Sequence, residues 1–329
     1  MKHTKSDLIQ MQSLPLSIKI HMTADRIQGW YNHWNGYRAD GKEKDPTGIY
    51  LSFSGGKDST ALLHLIRTHC IGVYDCPAVF IDTGLEYPEI RKFALERADT
   101  VLRPAMSFKQ VIERHGYPVI GKAQARDIGT LQNASDKNKA TVNLILTGYT
   151  RDGKYAPRFK LAKKWIALKN APFKISDSCC EVLKKTPAKK YEKETKRAPI
   201  VATMACGSQL RQATWFSQGC NAFTNARPIS QPISFWTEQD ILEYLVTENI
   251  PYSPVYGEIK QDAAGKFYTT GEQRTGCMFC AFGVHLDPSP NTFERMRETH
   301  PKQYDYCMRP TDQGGLGMAV VLDYIGVKY

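Results

Sequence analysis

Residues 52–60 place hydroxyl, amine and carboxylate side chains around two glycines, in the order Ser-Phe-Ser-Gly-Gly-Lys-Asp-Ser-Thr. The apolar segment Gly48 to Phe53 before them has strand character, and Leu62, Leu63 and Ile66 after them have helical spacing. The predicted order is therefore strand, glycine loop, helix. Because the first backbone N–H groups of a helix lack intrahelical partners and carry partial positive charge, we expect this segment to bind an anion.

Several residue types in the segment suit a phosphate-binding site. Glycines at 55 and 56 let the backbone turn tightly and approach phosphate oxygens, Lys57 adds positive charge, and Asp58 could hold a magnesium ion that bridges those oxygens. The alternative is an ordinary glycine turn in which Asp58 or Ser59 caps the helix. The nucleotide-binding residues predicted here are Ser52, Ser54, Gly55, Gly56, Lys57, Asp58 and Ser59.

The spacing of this loop matches neither the Walker pattern nor the dinucleotide-binding pattern. It resembles instead the pyrophosphate loop (PP-loop) of the adenine nucleotide α-hydrolase superfamily, Ser-Gly-Gly-x-Asp-Ser. The resemblance implies ATP cleavage between the α and β phosphates, transfer of AMP to a substrate and release of pyrophosphate. It also implies catalytic roles for Lys57 and Asp58.

A second buried strand, Pro77 to Ile81, ends in Asp82 and Thr83. Two strands joined by a helix form a βαβ unit with a parallel sheet, in which ligands bind at the carboxyl ends of the strands. The segment 82–89, Asp-Thr-Gly-Leu-Glu-Tyr-Pro-Glu, resembles the phosphoadenylyl-sulfate (PAPS) reductase family, which implies that Asp82 and Thr83 line the adenosine pocket. The alternative is a turn that caps the next helix. The predicted fold class is α/β, a doubly wound parallel sheet like that of the adenine nucleotide α-hydrolases, with a C-terminal Cys-rich segment.

Four cysteines form two pairs with metal-ligand character, Cys179 with Cys180 and Cys277 with Cys280. Four thiolates suit Zn²⁺ or a [4Fe–4S] cluster. The two pairs resemble the cluster-binding pattern of adenylyl-sulfate reductases, which favours the cluster over zinc. Cys206, Cys220 and Cys307 are not needed for this set of four ligands, although one of them could replace Cys179. Cys70 and Cys76 are predicted to be buried apolar residues.

Two features depart from the reductase pattern. Ser208 and the predicted catalytic Arg211 remain, but Met204 and Gly207 stand where the reductases carry an arginine and a glutamate. The reductases also end in a Glu-Cys-Gly-x-His tail with a nucleophilic thiolate, whereas only Cys307 follows Cys280 here.

Composition indicates a soluble globular protein of 329 residues, with 42% hydrophobic and 23% charged residues and a formal charge of +11. The window 158–197 contains thirteen Lys or Arg against four Asp or Glu, which predicts either a nucleic-acid surface or a solvated face. The sequence shows neither a signal peptide nor a membrane span, so we expect a cytoplasmic protein without a membrane partner. Nine cysteines in such a protein favour metal or redox chemistry over disulfides.

The sequence predicts three segments: an N-terminal helical extension (1–45), a PP-loop nucleotide-binding PAPS reductase-like domain (46–250) and a C-terminal CxxC segment packing on the core (251–329). In the extension, a helix from Thr23, its candidate N-cap, to Asn35 places Ile27, Trp30 and Trp34 on one face, and a polar linker follows at 37–46. Further elements are strands at 99–102, 198–202 and 231–234 and a helix at 238–246 begun by a capping box of Thr237 and Asp240.

Three functions are compatible with these patterns. The first is ATP-dependent adenylation with pyrophosphate release, coupled to sulfur transfer; the chain resembles the thiolation enzymes of tRNA and the phosphorothioation enzymes of DNA. Its partners would be an adenine nucleotide, Mg²⁺, a sulfur-donor protein and nucleic acid bound by window 158–197. The second is reduction of adenylyl sulfate or PAPS, with Cys307 as nucleophile. The third is a non-catalytic role, as a nucleic-acid-binding protein or as a regulatory protein that keeps the fold.

Overall fold

The computed structural model describes residues 3–35, 48–73 and 75–329, so the linker predicted at 37–46 lies outside the described residues. None of the helices in these ranges is long and apolar enough to span a membrane. The α-helices are α1 Lys5–Gln12, α2 Leu16–Trp34, α3 Lys57–His69, α4 Pro88–Leu95, α5 Phe108–His115, α6 Lys122–Gln132, α7 Lys139–Thr147, α8 Lys163–Ile166, α9 Thr186–Thr195, α10 Gln209–Gln218, α11 Glu238–Thr247, α12 Thr292–Thr299, α13 Pro301–Met308 and α14 Met318–Ile325.

The strands of the described residues form one larger sheet and two short pairs. They are β1 Gly48–Phe53, β2 Ala78–Ile81, β3 Thr100–Leu102, β4 Val119–Ile120, β5 Arg197–Val201, β6 Asn221–Ala222, β7 Ile229–Ser230, β8 Ile259–Gln261, β9 Phe267–Thr269 and β10 Ala281–Phe282. The larger sheet has the order β3-β2-β1-β5-β7-β6, in which all neighbours are parallel except β6 and β7. The predicted α/β class with a parallel central sheet is confirmed.

The chain divides into two compact units, each assembled from three separate stretches. Unit 1 comprises Met1–Asp82, Glu86–Arg103 and Pro187–Thr275, and unit 2 comprises Thr83–Leu85, Pro104–Thr186 and Gly276–Tyr329. Unit 1 contains the six-stranded sheet, and unit 2 contains the pair of β4 and β10. The linear domain boundaries at 45 and 250 and the separate Cys-rich segment stay predictions.

The core of unit 1 surrounds β1, which pairs with β2 on one side and β5 on the other. Ile49, Leu51 and Phe53 are buried in it, as expected for a parallel strand covered on both faces. The predicted face of α2 joins the same core, because Trp30 and Ile27 are fully buried there. Burial of such side chains stabilises the fold by about 1.5–3 kcal/mol each.

Two boundaries differ from the sequence prediction. Helix α2 begins at Leu16, so Thr23 is an interior residue and not the N-cap; its buried hydroxyl accepts a hydrogen bond of 2.9 Å from Trp236 Nε1. The strand predicted at 231–234 is a turn, because Pro232 has no N–H for a ladder and the N–H of Ser234 bonds the carbonyl of Gln231 at 3.0 Å. The capping box of Thr237 and Asp240 at the start of α11 is confirmed.

Candidate functional site

The predicted phosphate loop joins β1 to α3 through residues 54–56. Gly55 has a φ of +73°, and a Cβ there would lie 2.8 Å from Ala94 Cβ and 2.9 Å from the carbonyl oxygen of Ile90. Only glycine fits such a site without strain. The N-cap of α3 is Gly56, so the alternative in which Asp58 or Ser59 caps the helix is wrong.

Two serine hydroxyls hold the loop in this shape. Ser59 Oγ accepts a hydrogen bond from the N–H of Ser54 at 3.2 Å and donates one to the carbonyl of Gly56 at 3.0 Å. The hydroxyls of Ser54 and Ser59 lie 3.0 Å apart. Ser59 is buried and Ser54 is exposed, so the first supports the backbone while the second faces solvent.

A cavity of about 350 Å³ opens beside this loop, where β1 and β5 end. The loop, the residues that follow β5, and three distant segments of unit 1 all contribute to its wall. Its lining residues are Ser52, Ser54, Gly56, Lys57, Asp58, Ser59, Val201, Ala202, Thr203, Arg211, Tyr256, Arg274 and Thr275. The cavity therefore collects three cationic side chains, those of Lys57, Arg211 and Arg274.

Lys57 is buried at this cavity and contacts groups of its own chain. Its ammonium group donates to the carbonyl of Gln273 at 2.7 Å and lies 3.2 Å from Glu238 Oε1. Its backbone N–H, in the first turn of α3, donates to the hydroxyl of Tyr256 at 3.2 Å. The two donors of Lys57 that could bind a phosphate are its ammonium group and its backbone N–H. Both already have partners in the protein, which an anion would have to replace.

Asp58 carries a buried oxygen that has no hydrogen-bond partner among the described residues, Oδ1. The nearest cation is Lys57 Nζ at 3.9 Å. Burial raises the pKa of this carboxyl group above its usual range, while the positive charge of Lys57 opposes the rise. An unsatisfied, buried carboxylate oxygen is a fitting ligand for a hard cation such as Mg²⁺.

Asp82 and Thr83 are placed differently from the loop residues. The carboxylate of Asp82 accepts two hydrogen bonds from Arg91, at 2.8 and 2.7 Å, and Asp82 is not among the residues that line the cavity. Thr83 belongs to unit 2, where its hydroxyl accepts a bond from the N–H of Leu85. A nucleotide contact by either residue stays a prediction.

The four paired cysteines lie together in unit 2. Burial raises the pKa of the Cys179 thiol well above its ordinary value, and the charges of Cys277, Cys180 and Cys280 add to that shift. These side chains are thus within electrostatic range of one another, although no three His, Cys, Asp or Glu among the described residues are grouped closely enough to hold a metal ion. The metal-binding set stays a prediction.

Cys307 is not arranged as a nucleophile. It is fully buried in α13, and burial raises its pKa well above the ordinary range of a thiol. Because the thiolate is the reactive form, this environment disfavours the attack on sulfur that a reductase requires.

The basic window 158–197 crosses the boundary between the two units at Pro187. Its lysines are largely exposed, and some pair with neighbouring acids, such as Lys185 with Glu181 at 3.2 Å. Binding of nucleic acid by this window stays a prediction.

The structure adds cavity residues that sequence reasoning did not place there. Tyr256, Arg274 and Thr275 reach the loop from more than 190 positions away in the sequence, and Tyr256 bonds Thr275 Oγ1 at 2.6 Å. Local pattern gives no signal for such distant contacts. Thr203 could have been predicted from the sequence, because it follows β5 and ligands of parallel sheets bind at the carboxyl ends of the strands.

Comparison with known proteins identifies the family. Among solved structures, the phosphate complex of phosphoadenylyl-sulfate (PAPS) reductase from Candida auris is similar over 81% of this chain and 98% of that chain, with 13% identity and a TM-score of 0.38. No curated protein matches the sequence. The family model described as phosphoadenosine phosphosulfate reductase domain matches residues 48–118 and 135–281, most of the chain. The chain therefore belongs to the phosphoadenosine phosphosulfate reductase domain family, as its resemblance to PAPS reductases indicated.

Proposed function

We propose that this protein is an enzyme that cleaves ATP between the α and β phosphates, releases pyrophosphate and transfers AMP to an acceptor, in a reaction coupled to sulfur transfer. The observation that carries the proposal is the cavity beside the Ser-Gly-Gly-Lys-Asp-Ser loop, with its three cationic side chains. Family membership supports a sulfonucleotide-related function in general. The loop and the charges support the more specific reaction.

The chain would lower the barrier chiefly by electrostatic stabilisation of the leaving pyrophosphate. Negative charge develops on that group as the bond breaks. The backbone N–H groups in the first turn of α3 and the ammonium group of Lys57 would stabilise this charge, because they lie at the cavity. To act, the Lys57 ammonium exchanges its contacts with Gln273 and Glu238 for phosphate oxygens. Arg211, on the same cavity, stabilises the same charge.

The unsatisfied Oδ1 of Asp58 is the group that fits Mg²⁺ in this cavity. When bound, the cation would neutralise charge on the phosphate oxygens. Asp58 would hold it only while ionised, and its raised pKa means that acid displaces the cation at a higher pH than from an ordinary aspartate.

The sulfur-transfer part of the proposal depends on the thiols of Cys179, Cys180, Cys277 and Cys280. The resemblance of the two pairs to the cluster-binding pattern of adenylyl-sulfate reductases supports a [4Fe–4S] cluster before Zn²⁺ at these thiols, and such a centre would supply sulfur or redox chemistry. Anaerobic purification with iron, zinc and sulfide analysis tests this part. Iron near four per chain supports it, and a metal-free protein contradicts it.

The acceptor in this proposal is nucleic acid held by window 158–197, with sulfur supplied by a donor protein. The excess of exposed lysines in that window is its support. Loss of binding to labelled RNA or DNA with rising salt would agree with it. Equal binding after several of these lysines are changed to glutamine would contradict it.

The central test is pyrophosphate and AMP formation from radiolabelled ATP and Mg²⁺, with RNA, DNA or sulfate as acceptor. Lys57→Met keeps most of the side-chain volume and removes the charge, so we expect a fall of about 10²-fold or more in turnover. Lys260→Met, in an exposed strand, is the matched control. An unchanged rate with Lys57→Met, or no pyrophosphate with any acceptor, would reject the proposal.

A second candidate is reduction of adenylyl sulfate or PAPS to sulfite, which family membership favours. The burial of Cys307 stands against it. Sulfite production that disappears in Cys307→Ser would establish this candidate. Sulfite production that persists in that variant would exclude Cys307 as nucleophile.

A further inference from the structure

Two arginine side chains of unit 1 converge on the backbone of Gly207. A Cβ built on Gly207 would lie 2.7 Å from Arg211 Nη1 and 3.5 Å from Arg274 Nη2. Arg211 lies in the first turn of α10, whereas Arg274 follows the β8–β9 pair, so two separate elements bring the guanidinium groups together. Both side chains line the cavity that contains Lys57.

Among the described residues, neither arginine forms an ion pair with an acid. In the part of the chain that the structure describes, no carboxylate lies within the 4.0 Å ion-pair distance of either guanidinium group. Both guanidinium groups act on the Asp58 carboxyl group at longer range. They lower its pKa, whereas burial raises it by more. Two like charges near one point repel each other, and an anion bound between them would offset this repulsion.

The chemistry of the pair points to a phosphate group. Guanidinium groups bind phosphate oxygens through two parallel hydrogen bonds, and they stay charged at every physiological pH. Lys57 and the first turn of α3 provide a separate anion site on the same cavity wall. One cavity thus offers two cationic positions, as a chain of phosphates requires.

We propose that Arg211 and Arg274 form a subsite for the terminal phosphate of a nucleoside triphosphate, with residue 207 kept free of a side chain so that no carboxylate competes. This deepens the proposed function and rests on it. The pair makes the site selective for ATP over AMP, ADP and adenylyl sulfate, because only the triphosphate fills both cationic positions.

The test places a carboxylate between the arginines. Gly207→Glu supplies an internal anion, and Gly207→Gln adds nearly the same volume without charge. The φ of Gly207 lies outside the left-handed region, and the atoms that a Cβ meets are ends of flexible side chains, so both variants should fold. Arg67→Gln, on the far end of α3 and paired with Asp99, controls for a general loss of positive charge.

Affinities for ATP, ADP, AMP and adenylyl sulfate are measured by titration calorimetry with Mg²⁺. We expect Gly207→Glu to weaken ATP binding about tenfold or more relative to Gly207→Gln, with AMP changed less than about twofold. Arg274→Gln and Arg211→Gln should each weaken ATP binding in the same selective way, and their effects should shrink when combined with Gly207→Glu.

Three results would overturn the subsite: an equal loss for ATP and AMP in Gly207→Glu, an equal loss in Gly207→Glu and Gly207→Gln, or unchanged ATP affinity. The measurement requires binding and not turnover. Selective ATP binding without pyrophosphate release therefore rejects the proposed function and leaves the subsite, whereas Lys57-dependent release with no selective loss rejects only the subsite.

Discussion

The hydroxyl of Tyr256 accepts a hydrogen bond of 3.2 Å from the backbone N–H of Lys57, the first residue of α3. This is a position that a phosphate oxygen would take at a helix N-terminus. Burial raises the pKa of Tyr256 to about 12, so its hydroxyl is neutral at physiological pH. The protein thus satisfies this N–H donor with a neutral group that a phosphate oxygen could displace.

Tyr256→Phe should therefore increase affinity for inorganic pyrophosphate and ATP. Without the hydroxyl, the free protein leaves the Lys57 N–H unsatisfied, at a cost of about 1–3 kcal/mol that a bound phosphate oxygen recovers. Calorimetric titration should show tighter binding by about fivefold or more, together with lower stability of the free protein. Tyr252→Phe, which also removes a hydroxyl bonded to a backbone N–H, is the control. Weaker binding would show that Tyr256 contacts the ligand instead.

Gly55→Ala tests whether the loop shape depends on the missing side chain. The positive φ alone costs about 1–2 kcal/mol for alanine, and contact with Ala94 and Ile90 adds to it. Gly29→Ala provides the contrast, because Gly29 lies inside α2 with open space at its Cβ, and alanine there should stabilise by about 0.5–1 kcal/mol. Urea unfolding measures both changes. Similar free energies for the two variants would contradict this account of the loop.

The ion pair of Lys19 with Asp240 should dominate the charge contribution to the stability of unit 1. Lys19 Nζ donates to both carboxylate oxygens at 2.8 Å, and both residues are buried. Lys19→Met leaves Asp240 uncompensated, which should cost about 3–5 kcal/mol. Lys190→Met removes the exposed ion pair with Glu194, which should lower the free energy of unfolding by about 0.5 kcal/mol or less. Denaturant unfolding that ranks the two variants equally would refute the assignment.

Cys206 should report on the charge of the cavity through its reaction with iodoacetamide. The residue as a whole is exposed, but its sulfur is partly desolvated, and this desolvation is the main reason why the pKa of Cys206 is raised. The charge of Asp58 adds to the rise, and the charge of Arg274 opposes it. Because the thiolate reacts, alkylation should be slow at neutral pH and should accelerate only above the ordinary thiol pKa. ATP bound in the cavity as proposed would screen Arg274, raise the pKa of Cys206 further and slow the reaction.

Peptide mapping by mass spectrometry separates Cys206 from the other eight cysteines. Cys220, which accepts a hydrogen bond from Ser234 elsewhere in unit 1, is the internal reference. Faster alkylation of Cys206 in the presence of ATP would show that the thiol and the arginine are not coupled.

The sequence by itself determined the features that depend on neighbours along the chain. The order of β1, the glycine loop and α3 follows from apolar periodicity and from glycine conformation, and the capping box of Thr237 and Asp240 involves residues three positions apart. The parallel sheet followed as well, since a strand, a helix and a second strand leave few other arrangements.

Only the tertiary structure decided which distant side chains meet at the loop. Local periodicity carries no signal for the approach of Tyr256 to Lys57 or of Arg274 to Gly207, because packing of separate elements sets both distances. The same reason explains the wrong N-cap of α2. Thr23 has the side chain of an N-cap, but the buried Trp236, far along the chain, donates a hydrogen bond to its hydroxyl, and tertiary contact overrides the local preference.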